Sequence, residues 1–126
     1  MLKTEIEEIV QARLKDAEVL LDNSRFDGSV YLCGYAIELA LKARICKTLQ
    51  WNEYPTSAKY STFKTHDLDL LLHLTGLEDK IRFQYIAEWS VVTQWNPESR
   101  YKPVGSIKED DAKDMLNSAK ELIKQL

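Results

Sequence analysis

Tyr31-Leu32-Cys33-Gly34-Tyr35-Ala36-Ile37-Glu38-Leu39-Ala40-Leu41-Lys42-Ala43-Arg44-Ile45-Cys46-Lys47-Thr48-Leu49 has no proline, and its only charged groups are Glu38, Lys42, Arg44 and Lys47. A helix that is apolar on nearly all sides is buried on nearly all sides, so these charges either reach the rim or find partners inside. The stretch is therefore the predicted centre of a helical bundle. With Ile37 set at zero and about 100° per residue, Val30, Leu41 and Thr48 fall within about 40° of it. On the same wheel Arg44 stands about 20° from the stripe centre, Glu38 near 100° and Lys42 near 140°. Glu38 and Lys42 thus stack one turn apart at the flank of the buried stripe, in the favourable order for an ion pair. Arg44 either runs its aliphatic stem to the surface or pairs with an acid on another helix.

Upstream, Ile6, Ile9, Val10, Leu14, Ala17, Leu20 and Leu21 repeat by threes and fours, while Glu5, Glu8, Gln11, Lys15 and Glu18 face away. That is an amphipathic helix of about five turns. Asp22, Asn23, Ser24 and Asp27-Gly28 end it and supply N-cap candidates for a second helix over about 28–49. So short a link makes the first two helices antiparallel neighbours. Residues 50–64 carry Pro55, many hydroxyls and no helical period, a long connection of the kind that often has a function.

Downstream, Thr65 is the expected N-cap of a short helix using Leu68, Leu71 and Leu72, with Gly76 at its left-handed end. A fourth helix follows from about Glu78 through Ile81, Tyr85, Trp89 and Val92, and stops before Asn96-Pro97, because a residue preceding proline resists helical angles. A second loop spans 95–106. Ser106 with Glu109 then matches a capping box opening a final stripe of Ala112, Met115, Leu116, Ala119, Leu122, Ile123 and Leu126. The expectation is an all-α, up-and-down antiparallel four-helix bundle with one additional short helix, in a single domain over 1–126.

Composition agrees. Four glycines and three prolines in 126 residues give too little punctuation for a many-stranded fold. A net charge of -3 excludes a generally basic nucleic-acid binder but not a local basic groove. Cys33 and Cys46 lie on one helix roughly 20 Å apart, beyond the about 7 Å a disulfide allows, which points to reduced thiols in a cytoplasmic protein. Met1 is followed by Lys3, Glu5, Glu7 and Glu8, and no apolar run reaches the about 18 residues of a membrane span, so neither a secretory signal nor a membrane is expected.

Few residues offer chemistry. His66 and His73 stand seven apart, placing them on one helical face roughly 10 Å from each other. One metal ion cannot hold both, and no metal or cofactor is expected. His66, beside the expected cap, is a candidate proton donor or anion ligand at a helix start; the plainer role is a structural hydrogen bond. Arg100 and Tyr101 lie between Trp95-Asn96-Pro97 and Pro103, and with Lys102 they can meet a phosphate or a base. The plainer alternative packs Tyr101 on the bundle end and pairs Arg100 with Glu98 or Glu109.

Taken in order, Tyr35-Ala36-Ile37-Glu38-Leu39-Ala40-Leu41-Lys42-Ala43, then Thr65-His66-Asp67-Leu68, then Arg100-Tyr101 before the last helix resemble the HEPN domains of prokaryotes and higher eukaryotes. The resemblance runs from about Ile6 to Leu122. It implies a four-helix bundle with a shorter inserted helix, commonly a homodimer, often paired with a minimal nucleotidyltransferase in toxin and antitoxin systems. Many such domains are metal-independent ribonucleases, in which an Arg is followed four to six residues later by a His. Here Arg100 leads into Tyr101-Lys102-Pro103-Val104-Gly105-Ser106-Ile107, and no histidine follows His73. What carries over is a binding surface of Glu38, Lys42, His66, Arg100 and Tyr101 for a nucleotide, RNA or a nucleotidyltransferase partner. The alternative is an endoribonuclease using His66 and Arg100 as catalytic residues. A third reading is an assembly domain that dimerises through exposed aromatics such as Trp51, Tyr54 and Tyr60.

Overall fold

A computed structural model describes the backbone of residues 1–126 and every side chain except those of Ser99 and Arg100. The described backbone forms α1 (Lys3–Asp22), α2 (Phe26–Leu49), α3 (Leu68–Thr75), α4 (Glu78–Gln84), α5 (Ile86–Val92) and α6 (Glu109–Gln125), with 3-10 turns at Ala58–Phe63 and Pro97–Tyr101 and no strand. Hydrogen bonds between elements fix their directions. Ser29 Oγ, early in α2, donates to Ala17 O, late in α1, at 2.8 Å. At the other end Lys3 N donates to Asn52 O at 2.8 Å, so α1 and α2 are antiparallel.

Thr48 Oγ1 at the end of α2 donates to Thr75 O at the end of α3 at 2.7 Å, and Trp95, after α5, rests on Gly34 in the first half of α2. The α4–α5 rod therefore climbs back along α2. The last helix descends again, from Ile107 beside Asp27 to Leu126, whose main-chain oxygen lies 3.4 Å from Arg44 Nη1. This is the expected up-and-down bundle, with α3 as its short insertion.

The core is centred on α2, where Ile37, Leu41 and Ile45 bury completely among Ile6 of α1, Leu71 and Leu72 of α3, Ile81 of α4 and Leu122 of α6. Full burial of each such side chain stabilises by roughly 1.5–3 kcal/mol. Cys33 and Cys46 are buried and free. Burial pushes the Cys33 thiol up to about 12, against the milder opposing pull of Lys120, and it raises the Cys46 thiol as well.

Several local expectations need correction. The fourth helix is two, broken at Tyr85, whose φ of -127° and ψ of 33° leave the helical region. Neither glycine nor proline stands there. Asp69 Oδ1 accepts from Arg82 Nη2 on one side of the break at 3.0 Å and from Trp89 Nε1 on the other at 3.3 Å. The cap of α3 is Asp67, accepting from the amides of Asp69 and Leu70, while Thr65 Oγ1 accepts from the amide of Asp67. A carboxylate outcompetes a hydroxyl at the positive end of a helix. Ser106 and Glu109 make no capping box: α6 begins after Lys108 without a side-chain cap. Of the two alternatives open for Arg44, the acid partner is absent among the described residues: the half-buried side chain brings Nη1 to the Leu126 main-chain oxygen.

Candidate functional site

The site is built along one ridge of α2. Asp27, Tyr31, Gly34, Glu38 and Lys42 follow one another at intervals of four, three, four and four, which keeps them on a single helical face. Each meets a segment from elsewhere in the chain. Asp27 meets residues 105–107, Tyr31 and Gly34 meet Trp95, Glu38 meets His66, and Lys42 meets Tyr54.

Glu38 is the centre of the ridge, only 2% exposed. Its two oxygens are divided: Lys42 Nζ lies 3.1 Å from Oε2 and His66 Nδ1 lies 2.8 Å from Oε1. A carboxylate offers only acceptors, so Nδ1 carries the proton in this bond and Nε2 remains for another partner. Burying a carboxylate without such donors costs several kcal/mol, so the fold requires both. The His66 side chain is nevertheless 64% exposed. It joins a fully buried acid to the surface.

Beyond Lys42 the 50–64 connection forms an aromatic wall. Tyr54 lies beneath Lys42 Nζ, 5.4 Å from ammonium to ring centroid, and its hydroxyl donates to Phe63 O at 2.6 Å. Burial, with Cys46 and Glu38 nearby, raises the Tyr54 phenol well above its ordinary value, so it stays a donor. Trp51 packs edge-on against Phe63 at 5.3 Å and against Tyr60 at 5.8 Å. Tyr54 is thus buried rather than offered for assembly, because its ring floors the Lys42 contact.

At the opposite end of the ridge, a Cβ on residue 34 would stand 2.2 Å from the Trp95 ring, closer than any real contact. Only glycine admits the indole there. The Pro97–Tyr101 turn begins two residues later and packs against α2. Tyr101 lies on it, 75% exposed. Arg100 belongs to the same turn, and its side chain lies outside the described residues.

Of the predicted site residues, Glu38, Lys42 and His66 come together directly, and Tyr101 sits at the ridge's upper end rather than against Glu38. His66 and His73 do not share a helical face. His66 precedes α3, and His73 pairs separately with Glu78 Oε2 at 3.2 Å. The larger clefts lie away from Glu38. One of about 370 Å³ lies beneath residues 102–107, against Tyr31 and Trp95, and one of about 460 Å³ is lined by Lys3, Arg44 and Lys47. Asp27, Gly34 and Trp95 are the site residues whose roles sequence reasoning missed. A lone glycine within a buried helix was the available signal for Gly34, since such a residue usually marks a close approach.

The arrangement defines a class: an all-α bundle whose central helix carries a buried acid shared between a lysine of its own and a histidine of a following segment. The family model for the HEPN domain matches residues 8–126. The chain belongs to the HEPN domain family. No curated protein and no solved structure matches it. Among the described residues no helix is long and apolar enough to cross a membrane, and no group of three or more His, Cys, Asp or Glu side chains could hold a metal ion.

Proposed function

We propose that residues 1–126 act as one cytoplasmic HEPN domain that binds the phosphate backbone of an RNA strand along the α2 ridge, without cleaving it. The observation that carries this reading is Glu38, a buried carboxylate that draws Lys42 and His66 to one spot and leaves the His66 ring at the surface. The Lys42 ammonium and, when the imidazole is doubly protonated, the Nε2–H of His66 are nitrogen donors fixed by a buried acid, and such donors suit a phosphate, because charge-assisted bonds are short and their geometry is set in advance. The surroundings favour a strand over a single nucleotide. A mononucleotide prefers an enclosing pocket, whereas His66 is largely exposed, and the connection leading to it carries Tyr54 against Lys42 and Tyr60 against Lys59, the mixture that single strands use. A homodimer and a minimal nucleotidyltransferase partner, in a toxin and antitoxin or stress module, complete the proposal.

The test is equilibrium binding of a fluorescently labelled single-stranded RNA, with a nucleoside triphosphate and a candidate nucleotidyltransferase as parallel arms. Arg100→Ala weakens RNA binding about 3- to 10-fold while the thermal midpoint holds within a few degrees, whereas His66→Ala weakens binding as much and also lowers the midpoint, because buried Glu38 loses one of its two donors. Absence of RNA binding by the wild-type protein removes the proposal, and binding of a nucleotide or nucleotidyltransferase alone reassigns the site.

One observation favours a second reading, a metal-independent endoribonuclease. Glu38 holding Nδ1 of an exposed imidazole is the arrangement that prepares Nε2 for proton transfer. Cleavage of RNA in the presence of a chelator, abolished by His66→Ala, would establish it. Intact RNA after prolonged incubation would dismiss it.

A further inference from the structure

Asp27 is the second residue of α2, and an acid there ordinarily needs no explanation beyond the helix dipole. Its carboxylate does something else. Oδ2 accepts from the amide of Gly105 at 2.6 Å and Oδ1 accepts from the amide of Ile107 at 3.1 Å. Both oxygens of one side chain are thus committed to a loop 78 and 80 residues further along the chain.

That loop is prepared for the contact. Ser106 N donates to Pro103 O at 3.2 Å, and Gly105 has a φ of +83° with open space where a Cβ would be, as the third place of a type II turn requires. The glycine is there for its backbone angle alone. The segment 95–107 is consequently an arch footed at both ends on the same α2 ridge, by the Trp95 indole in the Gly34 notch and by the Gly105 and Ile107 amides on Asp27. Between the footings lie the Pro97–Tyr101 turn and Lys102. Beneath it is the cleft of about 370 Å³, walled by Tyr31 and Trp95.

We infer that Asp27 is a positioning residue: it clasps the arch to α2 and so fixes where the Tyr101-Lys102 segment stands relative to the Glu38, Lys42 and His66 cluster further down the ridge. The inference rests on the RNA-binding reading for its consequence, and on the two amide bonds for its geometry. Asp27→Asn is the sharp variant. It preserves shape and leaves one carbonyl acceptor, but it turns an NH2 group toward an amide N–H that needs an acceptor.

The experiment reads amide hydrogen exchange and RNA affinity on the same protein, with the labelled single strand as probe. In Asp27→Asn, exchange at Gly105 and Ile107 accelerates about 10-fold or more while Ala112, bonded to Lys108 O within the start of α6, is unchanged, as local opening requires. RNA affinity falls about fivefold, the loss expected when a contact segment must be ordered on binding. Gly105→Ala loosens the same clasp from the loop side and gives the same pair of changes, so the inference stays decidable if Asp27→Asn fails to fold. Unchanged exchange at Gly105 and Ile107 overturns it, and so does faster exchange with RNA affinity intact. Should the wild-type protein bind no RNA, the functional reading falls while the exchange rates still decide whether Asp27 holds the arch.

Discussion

The two loops that flank the α2 ridge, 50–64 below and 95–107 above, are of similar length and are held by opposite means. The lower one is fastened in many places. Leu2 and Glu53 form an isolated antiparallel bridge, Tyr54 N donates to Met1 O at 2.9 Å, and Trp51, Tyr54, Tyr60 and Phe63 pack edge to face. Among the described residues the upper one is footed at its two ends, by an indole over Gly34 and a carboxylate at Asp27, with the Pro97–Tyr101 turn against α2 between them. Distributed fastening tolerates the loss of any member, whereas an arch footed at its ends leans most on those ends.

Substitutions can break that contrast, in decreasing order of effect. Gly34→Ala drives a methyl into the Trp95 ring and is expected to cost about 1–3 kcal/mol, read as a fall in urea midpoint together with faster exchange throughout 95–107. A stability unchanged within 0.5 kcal/mol would mean that Trp95 is not seated there. Tyr54→Phe removes one hydrogen bond and leaves Phe63 O to find water, for roughly 1 kcal/mol. The 50–64 loop should remain in place, as reported by hydrogen exchange at Tyr54 and Lys64. Tyr60→Ala, at an exposed ring, should cost about 0.5–1 kcal/mol and lower RNA affinity more than stability. If Tyr54→Phe or Tyr60→Ala released its whole loop, the contrast between the two loops would be false.

The comparison also shows how far the sequence could be read. The bundle was legible because its signals are local and repeated: the three-and-four spacing in α1 and α6, the near-uniform apolarity of α2 and the glycine ending α3 each act within a few turns. The Glu38–Lys42 pair was legible for the same reason, being one turn of a single helix. The partnership of Glu38 with His66 was foreseen only as membership of a common surface. It forms because the α3 lead-in passes beside the middle of α2, a consequence of chain path that no short window contains. Asp27 illustrates the limit. In sequence it is an ordinary acid near a helix start, and only the return of the chain 78 residues later gives it a second task. Ser106 and Glu109 fail in the opposite sense: a capping pattern was present, but the Ser106 amide donates to Pro103 O and α6 begins only after Lys108.

The central claim is that one ridge of α2 gathers the groups that meet the ligand. It is tested most directly by titrating isotope-labelled protein with a short single-stranded RNA and following amide and side-chain resonances by NMR. The account expects progressive shifts at Lys42, His66, Tyr101 and Lys102, with the Lys3, Arg44 and Lys47 hollow on the other side of α2 unaffected. Shifts confined to that hollow, or none along the ridge at saturating RNA, would contradict it.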